Sequence, residues 1–593
     1  MRTVPITKFG LLLLAVLWPR IVNAQFTYTV SNNAVTITAY TGPGGAVIIP
    51  STIIGLPVVS IQQEAFYPGI PGNTPDVTSV VIPDSVTNID SDAFLYCDTL
   101  TKVTFGVGVA SIGSGAFTYC SSLMSITAAP NNPAFTTVNG VLFDKNQTTL
   151  IQCPQQLAGN YIIPDSVTAI AAEAFYGCAR LTNVTIGNSV KTLEPGAFQL
   201  CTGLTSLIIP DGVTNISEAF TYCSGLASVT IGKGVTSIGY EAFFHCTGLT
   251  NVTIPTNVTS IESQAFWNCT SLPGIAIPGS VTNIGGYAFL DCPGLASVTI
   301  PGNVISVGTE AFASCPGLTN LTIGNGVASI GAAAFDGCLR LNSVLIPQSV
   351  ASMGSAPFLA CSGLTAITVD AGNVYYGSLD GVLLDKNQKT LIEWPGGRGG
   401  SCTIPNGVTN IGADAFESCV NLTNITIGTD VTGIGAGAFA GCSNLTAVYI
   451  GAGVTVIGDS AFAGCPNLTA VYFSGNAPSL SVEAFGDQAG IIAYYLPGTR
   501  GWPATFGGIP TALWHLPSPM ILTFEPNFGA QAKYFGFTVS WATNIPVVVE
   551  ACTNLASPVW STAASLTLAN GSAYFVDRQW TNYPVRFYRV RSP

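Results

Sequence analysis

Residues 246–268 read Cys-Thr-Gly-Leu-Thr-Asn-Val-Thr-Ile-Pro-Thr-Asn-Val-Thr-Ser-Ile-Glu-Ser-Gln-Ala-Phe-Trp-Asn. Two short β-branched runs, Asn251 to Ile254 and Val258 to Ile261, are separated by a corner at Pro255 and followed by an Ala265-Phe266 turn. β-branched alternation bounded by Gly and Pro favours strands, and the unit has no helical stripe of useful length. The same unit recurs along the chain. A Phe preceded by a small residue stands at positions 66, 94, 117, 175, 198, 220, 243, 266, 289, 312, 335, 358, 416, 439, 462 and 485, mostly 23 residues apart. One such unit cannot bury its own Leu, Val, Ile and Phe, so the coils must stack, with like residues forming ladders at a strand spacing of about 4.8 Å. The expected fold is mostly β: a right-handed solenoid of 23-residue coils.

Two steps in the Phe series, 117 to 175 and 358 to 416, span 58 residues, one coil plus 35. The extra segments match each other: Val138-Asn139-Gly140-Val141-Leu142-Phe143-Asp144-Lys145-Asn146-Gln147 against Leu379-Asp380-Gly381-Val382-Leu383-Leu384-Asp385-Lys386-Asn387-Gln388. Asp-Lys-Asn-Gln between apolar runs is a hairpin turn. Each insert, near 135–154 and 375–395, is therefore expected to be an extra coil with a protruding hairpin. That gives about 18 coils and a length on the order of 85 Å.

Fourteen of the 17 Cys fall three residues after the repeat Phe. In an exported chain this spacing suggests disulfides, but ladder side chains run parallel whereas a disulfide needs converging Cβ vectors. A reduced, buried ladder of small hydrophobes is the expectation. The first and last Phe units carry Gly69 and Gln488 at the Cys position, as terminal coils that cap a stack would.

Composition sets outer limits. Only 8% of the 593 residues are charged, against about 25% in ordinary globular proteins. With 18 Lys and Arg against 30 Asp and Glu, the chain lacks the basic stripe that nucleic-acid phosphates require. High hydrophobicity with low charge also excludes a disordered chain. Arg2 and Lys8 precede the apolar run Phe9 to Trp18, and Val22-Asn23-Ala24 offers small residues before Gln25, which reads as a secretory signal peptide over 1–24. The run is too short for the roughly 20 residues of a membrane-spanning helix. Its removal leaves 15 basic and 30 acidic residues, with no membrane span in the mature chain.

The phrases Val235-Thr236-Ser237-Ile238-Gly239 with Glu241-Ala242-Phe243, the insert Asp380-Gly381-Val382-Leu383-Leu384-Asp385-Lys386, and the closing Leu496-Pro497-Gly498-Thr499-Arg500-Gly501-Trp502 resemble the repeat, hairpin insert and end segment of bacterial leucine-rich repeat proteins of BspA type. The resemblance covers about residues 26 to 515. It implies a leucine-rich-repeat solenoid in a surface or secreted protein, links the chain to adhesion and protein binding, and brings no motif of catalytic residues.

The remaining segments divide as a cap at 25–60, repeats over 61–473, a C-terminal cap at 474–515, a stiff linker at 516–519, and a small domain at 520–593. In the first cap, Thr27 to Val30 and Val35 to Ala39 alternate as strands around Asn32-Asn33. In the last domain, the runs Tyr534 to Trp541, Val547 to Ala551, Ser572 to Val576 and Arg586 to Arg591 read as strands of a β-sandwich. Its Lys533, Arg578, Arg586, Arg589 and Arg591 outnumber Glu525, Glu550 and Asp577. Two readings stand: a β-domain whose Arg-rich edge strand resists aggregation, or a sorting module for cell-envelope attachment, as in the small C-terminal domains of other secreted bacterial proteins that it resembles.

The motif search yields no catalytic site, metal site or cofactor. His245 and His515 are the only histidines and lie 270 positions apart. The Cys period fits no zinc spacing, and Gly106-Val107-Gly108 and Gly435-Ala436-Gly437 are repeat corners rather than phosphate loops. Glu173, Glu241 and Glu310 recur in the Glu-Ala-Phe turn, but without the basic partner or the pairing that glycan cleavage requires. The expected binding surface is the outward face of the first strand: Asn183 and Thr185, Asn251 and Thr253, Ser297 and Thr299, Asn320 and Thr322, Asn424 and Thr426, with Tyr449 and Tyr472. Ile208, Ala276 and Leu345 interrupt its Thr array, which argues against ice binding. The reading is an exported, non-enzymatic protein, secreted or at the cell surface, offering this face to a protein or glycan ligand. A glycan-active enzyme and a structural spacer are the alternatives.

Overall fold

The computed structural model describes residues 25–69, 76–481, 483–514, 516–523, 528–531 and 533–592; the leader read over 1–24, His515 and Glu525 lie outside them. The described chain is almost entirely β, its regular helix confined to two 3₁₀ turns, Ala569–Gly571 and Trp580–Asn582. It divides into two compact units, one ending at Val213 and one beginning at Thr214.

The first unit opens on an antiparallel hairpin of strands Phe26–Ser31 and Ala34–Tyr40. Asn32 and Asn33 both adopt positive φ, 52° and 56°, the tight turn that matches strand twist. Strand Ala34–Tyr40 then pairs in parallel with Leu56–Ile61, and that strand with Asn88–Ile89. A second parallel sheet runs from Gly45–Ile48 through Val77–Ile82 and Lys102–Phe105 to Ser125–Ala128. Successive coils here therefore supply one strand to each of two sheets.

The second unit repeats this at a strict register. In its second-strand sheet Ser237 pairs with Ser260, Ser260 with Asn283, Asn283 with Ser306, and Ser306 with Ser329. Between the sheets, Val258, Ile261, Ala265, Phe266, Cys269 and Leu272 are all fully buried. The repeat Phe rings stack, with centroids 5.3 Å apart from Phe243 to Phe266, 5.2 Å to Phe289 and 4.9 Å to Phe312. Each such ring removed from water stabilises its coil by about 2–3 kcal/mol, which a lone coil has no way to gain.

The Cys ladder has a second function besides filling space. The Cys246 thiol donates to the Phe220 carbonyl at 3.1 Å, Cys269 to Phe243 at 3.3 Å, Cys292 to Phe266 at 3.2 Å and Cys315 to Phe289 at 3.3 Å. Cys97 and Cys120 do the same for Phe66 and Phe94 in the first unit. The turn that carries Phe leaves its carbonyl buried, and a small side chain with a weak donor answers it. In the terminal coil Gln488 replaces Cys, and its amide donates to the Phe462 carbonyl at 2.7 Å. All 17 cysteines are free thiols. Burial pushes Cys97 and Cys315 up to about 12, so little nucleophilic thiolate exists near neutral pH.

Thr, abundant where charge is scarce, closes the strand entries. Thr250, Thr259, Thr282 and Thr319 each donate a hydroxyl hydrogen bond of 3.0–3.1 Å to a carbonyl 23 residues earlier.

Both expected hairpin inserts are present, but they do not protrude. Each is a three-stranded antiparallel meander packed into the stack: Phe135–Val138, Val141–Asp144 and Thr149–Gln152 in the first, and Tyr376–Leu379, Val382–Asp385 and Thr390–Glu393 in the second. Val141, Leu142 and Phe143 are fully buried, as are Leu383 and Leu384, because these apolar runs complete the core. The Asp-Lys-Asn-Gln turn lies where expected, and a further tight turn sits at Asn139-Gly140 and at Asp380-Gly381, both residues at positive φ.

One buried Asn anchors each insert. Asn132 donates to the carbonyls of Gly106 and Val109, both at 2.9 Å, and accepts from the amides of Ala134 and Phe135 at 2.9 and 2.8 Å. Asn373 repeats the arrangement with Pro347, Val350, Tyr375 and Tyr376 at 2.8–3.0 Å.

The C-terminal segment folds as two antiparallel sheets. Strands Met520–Leu522, Gly529–Ala530, Phe535–Ser540 and Ser572–Asp577 form one; Ser561–Thr567, Pro546–Cys552 and Phe587–Arg591 form the other. Phe537, Val539, Val547, Val549, Leu568 and Phe575 fill the space between them. Arg589 and Arg591 contact Glu550 at 2.8 and 2.9 Å, and Arg586 contacts Asp577 at 3.2 Å, so carboxylates answer much of this segment's positive charge locally.

Candidate functional site

The first strand of each coil alternates inward apolar and outward polar residues, which fixes the face that carries the expected positions. Thr185, Asn251, Thr253, Ser297, Thr299, Asn320, Thr322, Thr426 and Tyr449 are exposed; Asn183, Asn424 and Tyr472 are half-buried. Asn183 and Thr185 belong to the first unit, where Asn183 lies beside Ser206. In the second unit Asn251 pairs with Ser228, while Ser297 and Thr299 pair with Asn320 and Thr322 to form a small hydroxyl and amide patch.

The densest grouping lies toward the end of the second unit. Thr403 pairs with Thr426, Thr426 with Tyr449, Tyr449 with Tyr472, and Tyr472 with Tyr494, making one outward column. The Tyr449 and Tyr472 rings stack at 4.8 Å, Tyr472 and Tyr494 at 5.1 Å. Trp514 lies across them, tilted by 46–47°, at 6.3 Å from Tyr449 and 5.0 Å from Tyr472. Burial, followed by the neighbouring phenols, pushes the Tyr472 hydroxyl up, so it stays a neutral donor and acceptor. Beside the column, Asn424 donates to Ser401 at 3.3 Å and accepts from Thr446 at 3.1 Å. The strands Gly400–Thr403, Leu422–Ile427, Ala447–Ile450, Ala470–Phe473, Ile492–Tyr495 and Ile509–Leu513 contain no Asp, Glu, Lys or Arg.

Tyr494 and Trp514 were expected in the cap that covers the last coil; the structure adds them to the Tyr449–Tyr472 column. Counting back 22 and 45 positions from Tyr494 lands on Tyr472 and Tyr449, a signal that was available in the sequence.

The remaining candidates occupy the turn edge. Glu173 and Glu241 hold positive φ, 58° and 50°, and Glu173 accepts from the Thr118 hydroxyl at 2.5 Å. His245 is half-buried, with Asn268 Nδ2 2.8 Å from its Nδ1, and burial pushes its imidazole down. Among the described residues, no three His, Cys, Asp or Glu side chains converge to hold a metal ion.

The profile described as BspA type leucine rich repeat region matches six copies, over residues 59–160, 155–273, 259–378 and 400–499. No curated protein matches the chain. Similar solved structures include a leucine-rich repeat protein from Bacteroides ovatus, 24% identical over 76% of this chain and 93% of that one, with a TM-score of 0.37. A leucine rich cell surface protein from Faecalibacterium prausnitzii is 23% identical over 80% and 93%, with a TM-score of 0.30. The pneumococcal vaccine antigen PcpA is 14% identical over 83% and 98%, with a TM-score of 0.31. With the profile matched over well more than half of its length, the chain belongs to the BspA-type leucine-rich repeat family.

Proposed function

We propose that this protein is exported and non-enzymatic, and that its first-strand face binds a protein or glycan ligand at the cell surface. The observation that carries the reading is the uncharged column Thr403, Thr426, Tyr449, Tyr472 and Tyr494 with Trp514 across it. Tyr and Trp give large contact area at low entropic cost, and the flanking Asn and Thr supply hydrogen bonds. The regularity of the sheet holds these groups in place before a ligand arrives, so binding orders little. The segment 520–593 serves as the attachment module in this scheme, a reading supported by its separate core.

The test is an array of glycans and extracellular proteins probed with the chain from Gln25 onward. Hits weakened at least tenfold by Tyr472→Ser with Trp514→Ala are expected. An array without hits would refute the binding role and favour a spacer, while turnover of a polysaccharide that is lost on changing Glu241 would establish an enzyme instead.

A further inference from the structure

The opposite character belongs to the turn edge of the second unit. Between Thr214 and Cys338 the chain has six acidic residues, Glu218, Glu241, Glu262, Asp291, Glu310 and Asp336, and one cation, Lys233. All six acids fall in the turn segment leading into the repeat Cys, whereas Lys233 sits at the corner between the two strands. The same turns carry aromatic rings outside the core. Tyr222 and Tyr240 are 39% and 40% exposed. Tyr222 stacks on His245 at 4.9 Å, Phe244 packs edge-on against Trp267 at 5.2 Å, and Tyr287 lies 6.1 Å from Trp267.

The ring positions are held from within. Trp267 donates its indole N–H to Asp291 at 3.1 Å, and His245 Nδ1 lies 2.8 Å from Asn268 Nδ2. Burial pushes the His245 imidazole down, which favours its neutral form. Burial, followed by the like charge of Glu310, pushes the Asp336 carboxyl up. A metal is a poor answer to this charge, since no three of these acids converge. Exposed aromatic faces among carboxylates instead match a guanidinium or ammonium group, which rings and acids attract together.

We propose that this edge, formed by Tyr222, Tyr240, Phe244, Trp267 and Tyr287 with Glu218, Glu241 and Glu310, docks a Lys- or Arg-bearing polypeptide segment. The site is separate from the uncharged sheet face and does not depend on that face having a ligand. Its attraction is surface electrostatics, so it weakens as salt screens it.

The probe is fluorescein-labelled octa-arginine, with octa-citrulline as the neutral control, read by anisotropy with the full chain at about 50 mM salt. Glu218→Gln/Glu241→Gln/Glu310→Gln is expected to weaken octa-arginine binding at least tenfold. Gln264 already holds this turn position at φ 61°, so the turn tolerates the change. Tyr222→Ser is expected to weaken binding about threefold. Neutralising three corner acids, Asp165→Asn/Asp211→Asn/Asp430→Asn, changes net charge equally and is expected to leave affinity within twofold. The proposal is overturned if the corner variant weakens binding as much as the turn variant, if octa-citrulline binds as well, or if octa-arginine does not bind at all.

Discussion

Asn373→Ala should release the second insert without unfolding the rest of the stack. Asn373 is fully buried and makes four hydrogen bonds to main-chain groups. Removing the amide strands the buried Val350 carbonyl and leaves the Pro347 carbonyl with only the Val350 amide at 3.3 Å. The amides of Tyr375 and Tyr376 are nearer to solvent, since Tyr375 is 54% exposed, and water partly replaces their partner. One dry acceptor at about 1–1.5 kcal/mol, with one half-satisfied acceptor and two partly rescued donors at about 0.5 kcal/mol each, gives a loss of about 3 kcal/mol. The assay is amide hydrogen exchange across 376–393, with the first insert, 135–152, as an internal control anchored by the unchanged Asn132. About 3 kcal/mol predicts exchange roughly 100-fold faster in the second insert only. Asn373→Asp should be worse at neutral pH, because it points carboxylate oxygens at two carbonyls. That site raises the folded carboxyl pKa, so the folded state holds its proton more tightly and the lost stability returns as pH falls. Exchange that stays within fivefold of the unchanged protein after Asn373→Ala would refute the anchoring argument.

Three further outcomes follow from the packing. Glu393 is buried, gives one oxygen to the Phe358 amide at 2.9 Å, and is pushed up to about 8 by burial. Its folded pKa exceeds the unfolded one, so stability falls as pH rises from about 4.3 towards 8, and Glu393→Gln should flatten that part of a urea-stability profile by a few kcal/mol. Gly326→Ala would place a Cβ 1.7 Å from the Gly302 carbonyl and should lower stability by about 2–3 kcal/mol in thermal unfolding. A thiol reagent at pH 7.5 should leave the native ladder unmodified over minutes and titrate all 17 thiols in denaturant, since the ladder cysteines are buried and burial pushes thiols such as Cys269 and Cys292 up; rapid native labelling of Cys269 would contradict the packing.

The period of the sequence carried most of the fold, because one coil's burial pattern is every coil's burial pattern. The Phe and Cys ladders and the Asn32-Asn33 turn follow directly from residue type and spacing. The inward packing of the inserts was not legible: Leu142 and Phe143 alternate like any hairpin, and only a contact partner reveals that the coil closes over them. Asn132 and Asn373 look like ordinary loop residues until the two carbonyls each one answers, 23 and 26 residues earlier in sequence, are placed beside them. Strand Ser561–Thr567 was missed because Ser-Thr-Ala-Ala-Ser-Leu-Thr has little alternation, and its pairing with Pro546–Cys552 supplies what the pattern lacks. For the sheet face, strand alternation gave the outward positions. The aromatic turn edge escaped because its rings occupy different turn positions in different coils, Tyr240 and Tyr287 before the repeat Phe and Tyr222, Phe244 and Trp267 after it.

The thiol-to-carbonyl bonds also make the stack modular in its genetics. Excising residues 269–291 joins Asn268 to Cys292 and removes one whole unit. Cys292 then meets the Phe243 carbonyl that Cys269 met, and Phe312 comes to lie on Phe266. Every junction finds the same chemistry it had before. In-frame loss or gain of whole units is therefore nearly silent for folding, while a change of a few residues within one unit breaks two ladders at once. The gene can lengthen or shorten the surface by recombination between its own repeats.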